Sequence, residues 1–173
     1  MNQEFYEGLK EISYRIRYSN LQDMASYVDI NASKDKVNKL DKECHNILID
    51  KIKSHPDIIG YISEEGETIT FIKEEEREGY VVSFDPLDGS SNTESNITIG
   101  SIFCLYSYKQ KKLEDIVYAG YCLYGPSTLL VETVNQKEVK LYSLDKDNVF
   151  VYQRNLNFEN KHKKLYAINE SNS

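Results

Sequence analysis

YVVSFDPLDGSSN, Tyr80 to Asn92, runs an apolar strand-like segment into two aspartates three residues apart and then into a Gly-Ser-Ser-Asn turn. The β-formers Tyr80, Val81, Val82 and Phe84 predict a strand. Pro86 has no N–H to give a ladder, so the chain is expected to leave the sheet here. In such a turn Asp85 and Asp88 can aim their carboxylates at one point, with the Leu87 carbonyl between them. Oxygen donors of this kind suit Mg²⁺ or Mn²⁺. Gly89 allows a sharp turn, and backbone N–H groups beside the hydroxyls of Ser90 and Ser91 offer a concave anion site. The same residue types fill ordinary turns, and a lone D-P-x-D would be read as one. Carboxylates suited to metal next to an anion cradle point instead to phosphoryl chemistry, in which positioning and charge neutralisation supply most of the catalysis.

Outward from this block the chain divides into two textures. On the N-terminal side, Phe5, Leu9, Ile12 and Ile16 recur at helical spacing from Gln3 to Tyr18. Val37, Leu40, Cys44, Ile47, Leu48 and Ile52 do so again, after Asn31 and Ser33 as candidate caps. A polar stretch around YVDINASKDK joins these two amphipathic helices. After Pro56 come IIGYIS, TITFIK, GYVVSFD, NITIGSIFCLYSYK, IVYAGYCLYG, STLLVETV, EVKLYSL, NVFVYQ and KLYAIN, all rich in Ile, Val, Tyr and Thr and punctuated by turn signals. The expected fold is α+β, with N-terminal helices packed on a mainly antiparallel, mixed sheet. One domain covering 1–173 is expected, ending in the polar tail INESNS.

Composition narrows the function. With 173 residues, 40% of them hydrophobic and 28% charged, the chain can bury a substantial core. A net charge of −7 with no basic stripe argues against nucleic acid as a partner. No stretch is long and apolar enough for a membrane span, and MNQEFYEGLKE is not a signal peptide, so a cytoplasmic protein is expected. Cys44, Cys104 and Cys122 are odd in number and widely spaced, which reads as buried free thiols rather than a disulfide or zinc site.

Two further acidic elements bear on the first. YISEEGE puts Glu64 and Glu65 at the end of another predicted strand, near a glycine. One could reach a metal and the other polarise a water, although adjacent carboxylates usually mark a solvated loop. SKDKVNKLDKE opens the second helix, with Asp35 on its lead-in, where a capping role is the simpler reading, and Asp41 on its first or second turn.

Taken together, FDPLDGSSN, preceded by ISEEGE and DKVNKLD, resembles the fructose-1,6-bisphosphatase class 1 family, within the lithium-sensitive, metal-dependent sugar and inositol phosphatases. The resemblance continues in order through IGSIFCLY, AGYCLYGPSTLLV and KLYAINES. It implies a layered sugar-phosphatase architecture and hydrolysis of the 1-phosphate of fructose 1,6-bisphosphate, with sedoheptulose 1,7-bisphosphate as the alternative substrate. It implies that Glu64, Asp85, Asp88 and the Leu87 carbonyl hold two or three Mg²⁺ ions, with Mn²⁺ as a substitute. Glu65 and Asp41 would orient or deprotonate the attacking water, Asp35 would assist from a closing loop, and Asp88, Gly89, Ser90 and Ser91 would hold the phosphate.

The chain also departs from the family. Its members are roughly twice as long, comparable to two average domains, and their second half supplies the groups that hold the sugar. The family's extra N-terminal helix, which forms much of the inhibitory AMP site, has no counterpart here, so AMP inhibition is not expected. Lys34 stands where the family favours glycine, and NTES, with Glu94, replaces an Asn-Ile-Asp-like segment. The expected partners are a small sugar bisphosphate and either further copies of the chain or a missing C-terminal half. The competing expectation is an inactive or fragmentary homologue that binds metal and phosphate or joins other subunits.

Overall fold

The structure of the chain, a computed structural model, describes residues 3–20, 27–30, 36–64, 66, 68–75 and 77–157. The first apolar stripe forms helix α1, Gln3–Tyr18, which buries Phe5, Gly8, Leu9, Ile12 and Ser13 along one face. Arg15 and Arg17 in its last turn complement the helix dipole. The second stripe forms α2, Lys39–Ser54, burying Leu40, Asp41, Cys44, Leu48, Ile49 and Ile52. Between them the expected polar join contains a small antiparallel ladder of β1, Tyr27–Ile30, with β2, Lys36–Asn38. Val37, expected on the helical stripe, lies in β2, where its backbone pairs with Asp29 before the helix begins. The caps expected at Asn31 and Ser33 lie outside the described residues, as do the strand expected at KLYAIN and the tail after it.

Among the described residues, eight strands make the main sheet: β3 (Ile58–Ser63), β4 (Thr70–Phe71), β5 (Gly79–Asp88), β6 (Ile99–Lys109), β7 (Lys112–Tyr124), β8 (Thr128–Val134), β9 (Val139–Leu144) and β10 (Phe150–Leu156). Their order is β10-β9-β8-β7-β6-β5-β3-β4. From β5 to β10 each strand pairs antiparallel with the next, a meander whose tight corners use left-handed residues such as Gln110 (φ 49°) and Lys111 (φ 60°). The exception is β3, which lies parallel to β5. This is the mixed α+β sheet the residue pattern implies.

Both helices cover one face of this sheet. Phe5, Leu9, Ile12, Leu48 and Ile52 meet Val82, Phe84, Phe103, Tyr118, Cys122 and Leu130 in one continuous core. Each fully buried aliphatic or aromatic side chain there contributes about 1.5–3 kcal/mol. Phe5 sits edge-on to Phe103, with ring centroids 4.9 Å apart. A buried carboxylate, Glu132, lies at the margin and accepts hydrogen bonds from Tyr6 Oη (2.7 Å) and from Tyr118 Oη, tying α1 to β7 and β8.

Among the described residues, the opposite face is covered at one side only. Ile59, Val81 and Tyr108 form a small cluster beneath Ile62, Ile69 and Phe71. Across β6 and β7 the same face is open, with Ile102 49% and Tyr121 39% exposed.

Candidate metal and phosphate site

The site grows from the single parallel pairing among the described strands. In that register Ser63 stands beside Phe84, and the Glu64 N–H donates to the Phe84 carbonyl at 3.2 Å. Glu64 and Asp85 therefore stand side by side where the parallel pairing of β3 with β5 ends, at the carboxyl end of β3, the kind of position where open α/β sheets gather their ligands.

The structure corrects one expectation here. The chain does not leave the ladder at Pro86; β5 continues to Asp88 and pairs with Gly100 of β6. The proline is accommodated because the register shifts between Asp85 and Asp88, a β-bulge in which the missing N–H is not needed. The Leu87 N–H donates to Asp85 Oδ1 at 3.0 Å. The Leu87 side chain is buried in the core beneath the helices. After Asp88, Gly89 takes a left-handed conformation (φ 78°, ψ 23°) that favours glycine, and Ser90–Ser95 follows as a short 3₁₀ turn. Asn92 N–H closes that turn onto the Gly89 carbonyl at 2.8 Å, and Thr93 Oγ1 donates to the Ser90 carbonyl at 2.7 Å. Ser90 is half-buried and Ser91 exposed.

The electrostatics mark Asp85 as the strained member. Burial, first, and then the neighbouring charge of Glu64 push its carboxyl up to about 7, against the Leu87 N–H, which pulls it down; the Asp88 charge and a hydrogen bond to Glu64 add to the rise. Metal-free carboxylates crowded in this way repel one another until a cation or a proton arrives. Among the described residues, no three His, Cys, Asp or Glu side chains close round one point. The donor set of Glu64, Asp85 and Asp88 is nevertheless all oxygen and shares one charge problem, which is the chemistry a hard divalent ion fits.

Asp41 lies in the first turn of α2 and is 7% exposed. One helical turn on, His45 Nδ1 is 2.9 Å from Ser63 Oγ, and the imidazole packs on Phe84. Residues four apart share a helix face, so this contact brings the Asp41 face of α2 to the end of β3, next to Glu64. Burial lowers the His45 pKa and favours the neutral ring. Neither His45 nor Ser63 stands out in the sequence; the available signal was a histidine four residues after an aspartate at a helix start. Asp35, Glu65, Lys34 and the Glu94 side chain lie outside the described residues.

Glu64 and Asp85 also line a concavity of about 650 Å³ that runs from the site across the open sheet face, past Ile102, Ala119, Tyr121 and Val131. The carboxylates therefore open onto an apolar floor.

Comparison with known proteins shows the family and the fold. Residues 2–154 match the family described as fructose-1-6-bisphosphatase, N-terminal domain. The chain is 39% identical to a fructose-1,6-bisphosphatase class 1 of Neisseria meningitidis over 144 residues, covering 78% of this chain and 43% of that protein. It is 34% identical to the class 1 protein of Sulfurihydrogenibium sp. over 179 residues, covering 94% and 53% of the two chains. Among solved structures, Leishmania major fructose-1,6-bisphosphatase in holo form matches with a TM-score of 0.77 at 28% identity, covering 88% of this chain and 52% of that one. A Toxoplasma gondii structure with a TM-score of 0.72 and 20% identity is alike in fold. The chain thus spans about half the length of the relatives it matches.

Proposed function

The chain belongs to the fructose-1,6-bisphosphatase family, and from that premise we propose that it takes part in Mg²⁺-dependent removal of the 1-phosphate from fructose 1,6-bisphosphate. Its relatives are phosphatases, a class of hydrolase in carbohydrate metabolism. The observation that carries the reading is the meeting of Glu64 and Asp85 where the parallel pairing of β3 with β5 ends, with Asp88 and the Gly89 turn at the end of β5 beyond. In this reading Glu64, Asp85, Asp88 and the Leu87 carbonyl would hold two or three Mg²⁺ ions, or Mn²⁺ in their place. When bound, such ions neutralise phosphate charge and lower the pKa of water. Asp88, Gly89, Ser90 and Ser91 would cradle the departing phosphate. Asp41, with Glu65 and Asp35, would orient the attacking water and accept its proton. The three unpaired cysteines suit a reducing, cytoplasmic setting, and no described helix is long and apolar enough to cross a membrane.

Colorimetric phosphate release from fructose 1,6-bisphosphate, with Mg²⁺ and with a chelator, tests the proposal. Turnover that needs the metal and disappears in Asp85→Asn is expected. Absence of metal-dependent release from the native polypeptide would refute it for this chain alone. Running sedoheptulose 1,7-bisphosphate in parallel decides between the two substrates.

A second reading is favoured by the open sheet face. The chain covers about half of its relatives, and its carboxylates share a concavity with exposed Ile102 and Tyr121. In this reading the chain is a metal- and phosphate-binding module that needs another polypeptide, either a C-terminal half or further copies of itself, to wall the site. Sedimentation velocity separates the readings: self-association or capture of a family C-terminal half supports the module, and a stable active monomer refutes it.

A further inference from the structure

Asp85 and Asp88 are three residues apart, and in an unbroken strand side chains at odd spacing point to opposite faces. Here Asp85 pairs with Ile102 and Asp88 with Gly100, so three steps along β5 match two along β6. One extra residue in β5 therefore returns Asp88 to the face of Asp85. The bulge at Pro86–Leu87 is the device that turns two aspartates at this spacing into one site.

Ser101 stands between those two partners, opposite the bulge. It is 0% exposed, and its hydroxyl donates to the Pro86 carbonyl at 2.7 Å. Its Oγ also lies 2.7 Å from Tyr124 Oη. A serine hydroxyl carries a single proton; with that proton on Pro86, Tyr124 is the donor in the second bond. Tyr124 is 6% exposed, and burial keeps its phenol protonated and able to donate. The chain Tyr124→Ser101→Pro86 thus satisfies the bulged carbonyl from within the core, through a side chain.

We propose that Ser101, backed by Tyr124, is a positioning residue that holds the Pro86 bulge and thereby keeps Asp85 and Asp88 on one face. This rests on reading those carboxylates as a divalent-cation site. Ser101 touches no reacting group; its effect passes through the backbone to the carboxylates. The alternative is that the two hydroxyls merely satisfy buried polarity and contribute to overall stability.

Mn²⁺ titration of the full chain, followed by the EPR signal of the free ion, separates these roles without requiring turnover. Ser101→Ala is expected to weaken Mn²⁺ binding by about 10-fold or more, in the range found for groups that orient metal ligands. Tyr124→Phe, which leaves the serine hydroxyl in place, is expected to weaken it less, and Ser101→Thr to retain it. Ser13→Ala serves as the control: its hydroxyl is also buried, 2.5 Å from Thr128 Oγ1, and bonds to no site residue. It is expected to lower the melting temperature and leave Mn²⁺ affinity unchanged. Should Ser101→Ala fail to fold, Tyr124→Phe decides the matter by the same readout.

Wild-type affinity in Ser101→Ala and Tyr124→Phe would overturn the inference, as would an equal loss in Ser13→Ala. Provided the wild type binds Mn²⁺ and Asp85→Asn does not, either result leaves the site reading standing. A wild type that binds no Mn²⁺ would overturn both.

Discussion

Replacing Asp85 by Asn should stabilise the metal-free protein, and only at neutral to alkaline pH. The substitution keeps the shape of the side chain and the Oδ1 that accepts the Leu87 N–H, while removing the charge that burial and Glu64 oppose. Asp85 is pushed up to about 7 in the fold, against an ordinary aspartate value near 3.9. Between those pH values the folded state binds more protons than the unfolded one, so folding stability falls as pH rises through the window. A gap of about three pH units, at 1.36 kcal/mol each, corresponds to about 4 kcal/mol. Because the carboxyl is only partly buried, solvent screening reduces this to about 2 kcal/mol.

Thermal unfolding in EDTA, followed by circular dichroism, measures the difference. At pH 8 Asp85→Asn should melt about 4–8 °C above the wild type, using 2–4 °C per kcal/mol for a domain of this size. At pH 4, where the wild-type carboxyl is already protonated, the two should melt together. Saturating Mg²⁺ at pH 8 should reverse the order, since a ligand at 100 times its Kd adds about 2.7 kcal/mol to the protein that binds it. If the variant were no more stable at pH 8, or gained equally at pH 4 and pH 8, the carboxylates would not be in electrostatic conflict. The case for a cation site would then lose its physical basis.

Three other outcomes follow from the same structure. Phe5→Ala removes a ring that is 1% exposed and packed edge-on against Phe103; it should lower stability by about 3–5 kcal/mol in chemical denaturation, and a loss below about 1 kcal/mol would mean α1 is not docked as described. Gly89→Ala forces a side chain into a left-handed position (φ 78°) and should cost about 1–2 kcal/mol, whereas Gly89→Asn should cost less; equal losses in urea melts would refute the backbone argument. Burial pushes the Cys122 thiol up to about 12, and pushes Cys44 up further with help from Asp41 and Glu43. Ellman's reagent should therefore modify half-buried Cys104 first and the other two only on unfolding; three equal fast rates would contradict the core.

Much of the fold is legible because its signals are local. The stripe of Phe5, Leu9 and Ile12 defines α1 over the span it occupies, with all three buried. The meander from β5 to β10 follows from strands separated by short turns, each of which can close only onto its neighbour. The parallel placement of β3 against β5 is of another kind. Nothing within IIGYIS names its partner, and the TITFIK segment that separates them in sequence contributes only the two-residue edge strand β4. Glu132 was equally hidden: alternation in STLLVETV puts it on the face of Leu130, and only the approach of Tyr6 and Tyr118 from distant elements makes that burial tolerable.

The candidate site shows the same division within a few residues. D-P-x-D-G can be read as a turn or as a bulged strand, since both use proline where no N–H is needed and glycine where the chain bends. The choice is made on another strand, where Ser101 supplies the hydroxyl that the bulged Pro86 carbonyl needs and Gly100 leaves no side chain opposite Asp88. A Cβ at Gly100 would come within 2.7 Å of the Cys122 carbonyl, so the close approach of β6 and β7 leaves no room for a side chain at this position. The carboxylates that suggest chemistry are therefore visible in thirteen consecutive residues, whereas their common orientation depends on a serine and a tyrosine from the next two strands. Local sequence can nominate ligands, but the parity that lets them act together is a property of strand register.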